Sequence, residues 1–165
     1  MDDRSRMRVI VAFFTGLALL AGLLVVLVPL LDRWLGMPAL EMGRGNAIAG
    51  LALLLTGGWL VIWSVGEQYT IGKGTPHPKV ATRKLVVSGP YAWSRNPMTL
   101  GATLFYLGIA TWLGSLAGML LTLLVSTLLL IYISVHETAE LTRRFGEDYL
   151  EYKRRTPFLI CRRII

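Results

Sequence analysis

Residues 96–135 read NPMTLGATLFYLGIATWLGSLAGMLLTLLVSTLLLIYISV, and these 40 positions contain no charged side chain. A helix needs about 20 apolar residues to cross the roughly 30 Å hydrocarbon core of a bilayer. This stretch is therefore long enough for two crossings, and Gly114-Ser115 near its middle is typical of a turn. We predict a helical hairpin with membrane spans at 97–113 and 116–135.

Two further charge-free stretches, residues 9–31 and 46–66, are also long enough to cross a bilayer. The composition agrees: 54% of the 165 residues are hydrophobic and only 16% are charged, whereas soluble domains carry about 25% charged residues. The sequence thus predicts an all-α integral membrane protein with four transmembrane helices. It excludes a soluble globular enzyme, a disordered chain and a secreted disulfide scaffold, since Cys161 is the only cysteine.

Lys and Arg are distributed unevenly around these spans. The segment before span one, the loop at 68–95 and the tail at 136–165 hold 15 of the 17 basic residues. The positive-inside rule places such segments in the cytoplasm. We therefore expect both termini to be cytoplasmic, with the protein in the inner or plasma membrane if the source is bacterial or archaeal. The net charge of +7 suits flanks that face anionic lipid headgroups, and no nucleic-acid partner is expected.

The tail carries an apolar and aromatic stripe at helical spacing, formed by Leu141, Phe145, Tyr149 and Tyr152. Gly146 can divide this helix and Pro157 can end it. The pattern is typical of an amphipathic helix on the cytoplasmic membrane surface. Glu137 lies on the same stripe, and a carboxylate on an apolar face near the membrane needs a partner. The acid-free loop at 68–95 offers Arg83, Lys84 and Arg95.

Two segments of the chain carry a resemblance to a known family. The first is LVVSGPYAWSRNPMTLG at 85–101, and the second runs from Glu137 through FGEDYLEY at 145–152 to Pro157. In this order, with a short helical hairpin between them, they resemble the isoprenylcysteine carboxyl methyltransferase family, within a wider group of membrane and phospholipid methyltransferases. The resemblance covers roughly residues 70–160. It implies methyl transfer from S-adenosylmethionine to a lipid or amphiphilic acceptor at the cytoplasmic membrane face.

Carried over residue by residue, the resemblance implies a cofactor site built from both segments, with the tail helix closing over it. The implied cofactor-binding residues are Arg83, Lys84, Leu85, Val86, Tyr91, Asn96, Pro97, Met98, Thr99, Glu137, Tyr149 and Tyr152. The candidates for a catalytic role are Glu137, His136 and Arg95. No metal site is expected, because two distant histidines and one cysteine do not provide a metal-ligand set.

The residue types suit this cofactor on chemical grounds as well. The Glu137 carboxylate can accept hydrogen bonds from hydroxyl or ammonium groups, and aromatic rings can face a sulfonium cation. The helix that starts at Pro97 offers free backbone amides, which favour an anion. The sequence departs from the family pattern, which often has His, Tyr and a second acidic residue where this chain has Asn96, Thr99 and Thr138. Eukaryotic members have an Arg, thought to bind the substrate carboxylate, at the place of Ile133.

Several alternatives stay open at this point. The acceptor could be a prenylcysteine carboxylate, a phospholipid amine or a thiol, and the sequence does not indicate an oligomeric state. An NADPH-dependent sterol-type reductase shares the Arg-x-Pro turn near a C-terminal membrane helix, and a non-catalytic membrane scaffold could keep the fold. His136 could act as a base or anchor a helix at the interface. We interpret Glu67, at the end of span two, as a solvated boundary residue.

Overall fold

The computed structural model describes residues 3–75 and 82–159, with the backbone alone at Glu137. In these residues every regular element is helical, which confirms the all-α class. A 3₁₀ turn at Gly89–Ala92 precedes the third helix, and a π-helical turn at Ile133–Glu137 follows the fourth. The helices are α1 (Asp3–Leu35), α2 (Arg44–Thr70), α3 (Pro97–Trp112), α4 (Leu116–Tyr132), α5 (Thr138–Phe145) and α6 (Glu147–Arg155).

Within residues 3–75 and 82–159, three helical stretches are long and apolar enough to cross a membrane: Asp3–Leu35, Arg44–Thr70 and Leu116–Phe145. The third stretch runs from α4 through the π-helical turn into α5. Helix α3 has 16 residues, or about 24 Å at 1.5 Å per residue, which is shorter than a bilayer core. Helix α2 continues past the charge-free stretch and includes residues 68–70, which the sequence placed in the loop. Polar residues do not end a helix that has left the hydrocarbon, because its backbone hydrogen bonds remain intact.

Helices α3 and α4 form a hairpin whose turn lies at Gly114, where φ is 64°. The Ser115 side chain caps the start of α4. Asp32, near the end of α1, accepts a hydrogen bond from the Ala117 amide at 2.8 Å. The Leu40 amide donates to the Gly114 carbonyl at 2.8 Å. The loop between α1 and α2 is therefore tied directly to the hairpin turn.

Helices α2 and α3 pack backbone against backbone through two pairs of glycines. Gly57 faces Gly101, and Gly50 faces Gly108, so the contacts repeat seven residues apart on each helix. A Cβ atom added at Gly57 would lie 2.5 Å from the Gly101 carbonyl oxygen, and one at Gly108 would lie 2.6 Å from the Leu54 amide nitrogen. Small residues allow this approach, which drives helix association where lipid removes the hydrophobic effect between helices. The glycines thereby fix the start of α3 beside the end of α2.

Helix α1 is attached more loosely, beside α3 and α4. Val28 is its buried residue, while most of its other large apolar side chains are exposed. The Tyr106 hydroxyl donates to the Leu17 carbonyl at 3.1 Å, and the Tyr69 hydroxyl donates to Asp3 Oδ1 at 2.7 Å. The apolar surface of α1 therefore suits lipid as its surroundings.

The end of the chain folds back toward the start of α3. Gly146, with φ at 54°, separates α5 from α6, and α6 ends at Arg155, before Pro157. Residues 156–159, called the strap below, then run alongside the turn that leads into α3. The Arg95 amide donates to the Pro157 carbonyl at 2.9 Å. The break and the helix end lie where the sequence predicts them, whereas the return of the strap carries no sequence signal.

Candidate active site

A cavity of about 330 Å³ opens where α2 ends, α3 begins and α4 passes into α5. A narrower cavity of about 80 Å³ adjoins it on the side of α6 and the strap. Both cavities are lined by Gln68, Thr82, Tyr91, Arg95, Asn96, Ile133 and Leu141. Because the two share these residues, they form one site with a wide and a narrow part.

Glu67 holds the turn that brings Tyr91 to the cavity. Its carboxylate accepts hydrogen bonds from the Ser88 hydroxyl at 2.9 Å and from Trp63 Nε1 at 3.3 Å. Gly89 has φ at 57°, and a Cβ atom there would lie 2.7 Å from Glu67 Oε1. The interpretation of Glu67 as a solvated boundary residue is therefore wrong. The sequence could not show this, because Ser88 lies 21 residues away along the chain.

Arg95 connects the cavity to the strap. Its Nε donates to the Thr156 carbonyl at 3.0 Å, and its Nη1 donates to the Tyr149 hydroxyl at 3.4 Å. Its guanidinium lies over the Phe158 ring, 5.4 Å from the ring centre, which is a cation–π arrangement. The neighbouring Asn96 donates from Nδ2 to the Phe158 carbonyl at 3.0 Å. A positive charge is thereby fixed on the wall between the two parts of the site.

Tyr152 closes the narrow part from α6. Its hydroxyl is buried and donates to the Tyr91 carbonyl at 2.8 Å. Burial raises the pKa of the Tyr152 phenol above its ordinary value, with a smaller contribution from Tyr91, while Arg95 acts in the opposite direction. Tyr152 therefore stays neutral at physiological pH and donates its hydrogen bond throughout that range.

The wide part is bordered by two stacked rings at the π-helical turn. The rings of Tyr132 and His136 are 4.6 Å apart and inclined by 18°. Both side chains line the cavity and both are exposed on their outer side. Such single π-helical turns often lie at functional sites, because the extra residue in the turn redirects side chains. Here the turn places His136 one helical turn beyond Tyr132 on the cavity side.

The structure brings most of the sequence-predicted site residues together. Those that line one or both parts are Leu85, Val86, Tyr91, Arg95, Asn96, Pro97, Met98, Thr99, His136, Tyr149 and Tyr152. Arg83 and Lys84 do not line either part, and both are exposed. Their proposed place beside the cofactor stays a prediction. The side chain of Glu137 lies outside the described residues, so its role stays a prediction.

Sequence reasoning missed several residues that line the site, namely Gln68, Thr75, Thr82, Leu129, Glu140, Arg144 and Phe158. Arg144 of α5 donates to the Thr82 carbonyl and lies 3.7 Å from Glu140 as an ion pair. This contact ties α5 to the loop across the mouth of the cavity. The spacing of Glu140 and Arg144 by four residues is a sequence signal for their pairing on one helix face. Within the described part of the chain, no cluster of His, Cys, Asp and Glu could hold a metal ion.

Comparison with known proteins gives this site a context. A family model described as phospholipid methyltransferase matches residues 46–148, which is more than half of the chain. Among solved structures, the chain is similar to the eukaryotic intramembrane Ras methyltransferase isoprenylcysteine carboxyl methyltransferase, with a TM-score of 0.63 and 19% sequence identity. The likeness covers 87% of this chain and 51% of that protein, so the chain spans about half the length of this relative. A comparison with curated proteins found no match.

The matched residues contain the end of α2, the 3₁₀ turn, α3, α4 and α5, which together line most of the cavity. The likeness shows that this helix arrangement also occurs within that intramembrane methyltransferase. The chain therefore belongs to the phospholipid methyltransferase family.

Proposed function

We propose that the chain transfers a methyl group from S-adenosylmethionine to a lipid or amphiphilic acceptor at the cytoplasmic membrane face. The observation that carries this proposal is the position of the cavity. It lies at the ends of apolar helices, and its walls combine the motif residues Tyr91, Asn96 and Pro97 with residues of the lipid-exposed helix α4. A site of this kind can receive a polar cofactor from water and an apolar acceptor from the bilayer.

The residues present fit S-adenosylmethionine. A volume of about 330 Å³ lies within the range of about 300–1,000 Å³ that is usual for ligand pockets. The Arg95 guanidinium has five N–H donors, so it can bind a carboxylate while it keeps its contacts with the strap. Tyr91, Tyr149 and Tyr152 provide rings beside the narrow part. We propose that Glu137 adds a carboxylate for a hydroxyl or ammonium group of the cofactor.

When bound, S-adenosylmethionine would supply a methyl group on a positively charged sulfur. A nucleophile of the acceptor would bond to the methyl carbon as the carbon–sulfur bond opposite it breaks, and S-adenosylhomocysteine would leave. The protein contributes positioning and removal of water. Tyr152 and the strap cover the narrow part, and the stacked rings of Tyr132 and His136 border the wide part. A carboxylate or thiolate acceptor needs no base. An amine acceptor must lose a proton, and His136 lines the wide part, where it can take one.

Calorimetric titration of purified protein in detergent tests the cofactor. We expect S-adenosylhomocysteine to bind and NADPH not to bind. Binding of NADPH instead would favour the sterol-type reductase, and binding of neither molecule would favour a non-catalytic scaffold. The three classes therefore give three different outcomes of one experiment.

The acceptor is expected to reach the cavity from within the bilayer. Leu129 and Tyr132 line the wide part and are also exposed on α4, and Ile133 presents an apolar side chain to both parts. The apolar Ile133 offers no charge to a substrate carboxylate, and the matched family is that of phospholipid methyltransferases. We therefore expect phospholipid amines or small hydrophobic thiols to be methylated better than prenylcysteine.

Radiolabelled methyl transfer into these three acceptors in nanodiscs tests the acceptor class. A strong preference for the prenylcysteine carboxylate would overturn the argument from Ile133. A preference for a water-soluble acceptor without an apolar portion would overturn access from the bilayer.

We further propose four membrane spans, in which α3 is added to the three stretches that are long enough to cross. Helices α5 and α6 and the strap then lie at the cytoplasmic face. The two termini and the loop before α3 then lie on one side of the membrane. These segments contain most of the basic residues, so the positive-inside rule places that side in the cytoplasm. Single cysteines at Ser5, Leu40 and Lys84, in a background with Cys161→Ser, can be labelled with an impermeant reagent in sealed cells. We expect labelling at position 40 alone. Labelling at position 84 from outside would contradict the four-span arrangement.

A further inference from the structure

Gln68 is a polar residue of the site that neither motif contains. It lies in the last turn of α2 and lines both the wide and the narrow part. Its Nε2 donates to the Tyr91 hydroxyl at 2.6 Å, which fixes the side-chain amide in place. Its Oε1 is buried and has no hydrogen-bond partner among the described residues. The protein therefore binds the nitrogen end of the amide, while the oxygen end has no hydrogen bond from the described part of the chain.

A buried amide oxygen without a partner is unfavourable, because it has lost its hydrogen bond to water and gained none from the protein. Native proteins keep few such groups, and each of them calls for a physical reason. Here the atom belongs to a residue on the wall of a cavity that is large enough for a ligand. A donor brought by the bound molecule would supply the missing hydrogen bond.

We infer that Gln68 Oε1 is the acceptor for an N–H or O–H donor of the molecule bound between the two parts of the site. This inference rests on the proposed function, and both the cofactor and a phospholipid amine acceptor carry such donors. The cofactor offers amino and hydroxyl groups, and a phospholipid amine offers an ammonium or amine headgroup. The chemistry at Gln68 is the same in either case. The position of Gln68 on both parts makes it a binding residue that orients its ligand, and no proton has to move through it.

Two variants separate recognition by Gln68 from packing. Gln68→Glu keeps an acceptor oxygen at the same distance from the backbone, whereas Gln68→Met keeps the length of the side chain but cannot accept a strong hydrogen bond. Without ligand, the melting temperature of Gln68→Met should stay close to that of the wild type. The lost bond to Tyr91 is offset by removal of an unsatisfied buried acceptor.

Binding of S-adenosylhomocysteine is measured first, by calorimetry on detergent-solubilised wild type and both variants. If the donor is on the cofactor, Gln68→Met should weaken binding by roughly threefold to tenfold, while Gln68→Glu should retain it. Methyl transfer at saturating S-adenosylmethionine is measured next, with a phospholipid amine in nanodiscs. If the donor is on the acceptor, Gln68→Met should leave binding of S-adenosylhomocysteine unchanged and raise the KM for the lipid by a similar factor. Either result supports the inference and identifies which molecule Gln68 contacts.

Three results would overturn it. Gln68→Met could match the wild type in both assays, or it could lower the melting temperature without any effect on binding or KM, as expected for a purely structural residue. Equal weakening by Gln68→Glu and Gln68→Met, with both proteins folded, would contradict an acceptor role. If the wild type neither binds S-adenosylhomocysteine nor transfers a methyl group, the proposed function itself fails. That result is visible before any variant is compared.

Discussion

The site depends on two contacts, one between α2 and α3 and one between the strap and the start of α3. The first is made by backbone packing and the second by hydrogen bonds. Helices α2 and α3 meet through glycine backbones, without a polar side chain between Gly57 and Gly101. At the end of the bundle, the strap meets the start of α3 through hydrogen bonds from Arg95 and Asn96 to backbone carbonyls. The difference fits the four-span arrangement that we propose. In lipid, helices gain no hydrophobic free energy by associating and unpaired polar groups are unfavourable, so close packing is the attraction that remains. Near water, charge-assisted hydrogen bonds can instead hold an irregular segment.

A substitution in the glycine contact should lower the stability of the protein more than a substitution in the polar contact. Gly57→Ala adds a Cβ atom that would lie 2.5 Å from the Gly101 carbonyl oxygen, and neither backbone can move without parting the helices. We expect a loss of at least about 3 kcal/mol of stability, beyond the usual range for overpacking. Thermal denaturation in detergent, followed by circular dichroism, measures the effect.

Gly66→Ala is the matched control for this change. It lies on the same helix, and a Cβ atom added there would meet nothing within 4 Å. The control should melt at or slightly above the wild-type temperature, because alanine favours a helix over glycine. Similar melting temperatures for the two variants would show that the glycine contact does not determine helix packing.

Breaking the polar contact should affect the site more than the fold. Arg95→Ala removes the hydrogen bond to the Thr156 carbonyl and the contact with the Phe158 ring. It also removes the proposed hydrogen bond to the carboxylate of the cofactor. Because a hydrogen bond of a charged group contributes about 1.5–3 kcal/mol, we expect affinity for S-adenosylhomocysteine to fall by at least roughly tenfold. Limited proteolysis should also cut the strap faster. Arg154→Ala, an exposed change on α6, is the control. Unchanged affinity in Arg95→Ala would show that neither Arg95 nor its contact with the strap contributes to cofactor binding.

A variant of Glu137 tests whether this residue, next to the polar end of the bundle, binds the cofactor. Glu137→Gln keeps the shape of the side chain and removes its charge. We expect a roughly tenfold loss of affinity for S-adenosylhomocysteine, since a charge-assisted hydrogen bond would become a neutral one. Glu147→Gln, at an exposed position in the first turn of α6, provides the comparison. Equal calorimetric affinities of Glu137→Gln and wild type would remove Glu137 from the site.

The smallest effect is expected at Tyr152, and it should depend on pH. Tyr152→Phe removes the hydrogen bond to the Tyr91 carbonyl and should cost about 1 kcal/mol at neutral pH. Burial raises the pKa of this phenol in the folded protein. Its contribution to stability is therefore complete below pH about 10, the pKa of an unfolded tyrosine, and is lost as the pH rises above that value.

Stability measured by thermal denaturation at pH 8 and at pH 10.5 checks this sign. The wild type should lose more stability between the two values than Tyr152→Phe does. Tyr132→Phe, which alters an exposed hydroxyl, should follow the wild type. A wild-type curve parallel to that of Tyr152→Phe would show that the phenol is not held neutral by burial.

Some of the residues predicted for the site lie on the cavity wall and others do not, and this difference has a physical reason. Tyr91, Asn96 and Pro97 lie in one continuous motif, so the resemblance identified them and the structure places them on the cavity wall. Arg83 and Lys84 were included because they precede the same motif, yet both side chains are exposed. Neighbourhood in sequence does not determine on which side of an irregular loop a side chain lies. The role assigned to each of these residues stays a prediction.

Hydropathy and the spacing of Gly114, Gly146 and Pro157 by themselves determined the helical class, the hairpin and the divided tail helix. These properties are local, because apolar length and backbone preference act within one segment of chain. Tertiary structure alone decided that Glu67 supports the Ser88 turn, that Gln68 lines both parts of the site, and that the strap returns to Arg95. Each of these contacts joins residues at least 20 positions apart. The packing of α2 against α3 brings Glu67 and Gln68 beside the turn that precedes α3, and the return of the chain after α6 brings the strap to Arg95.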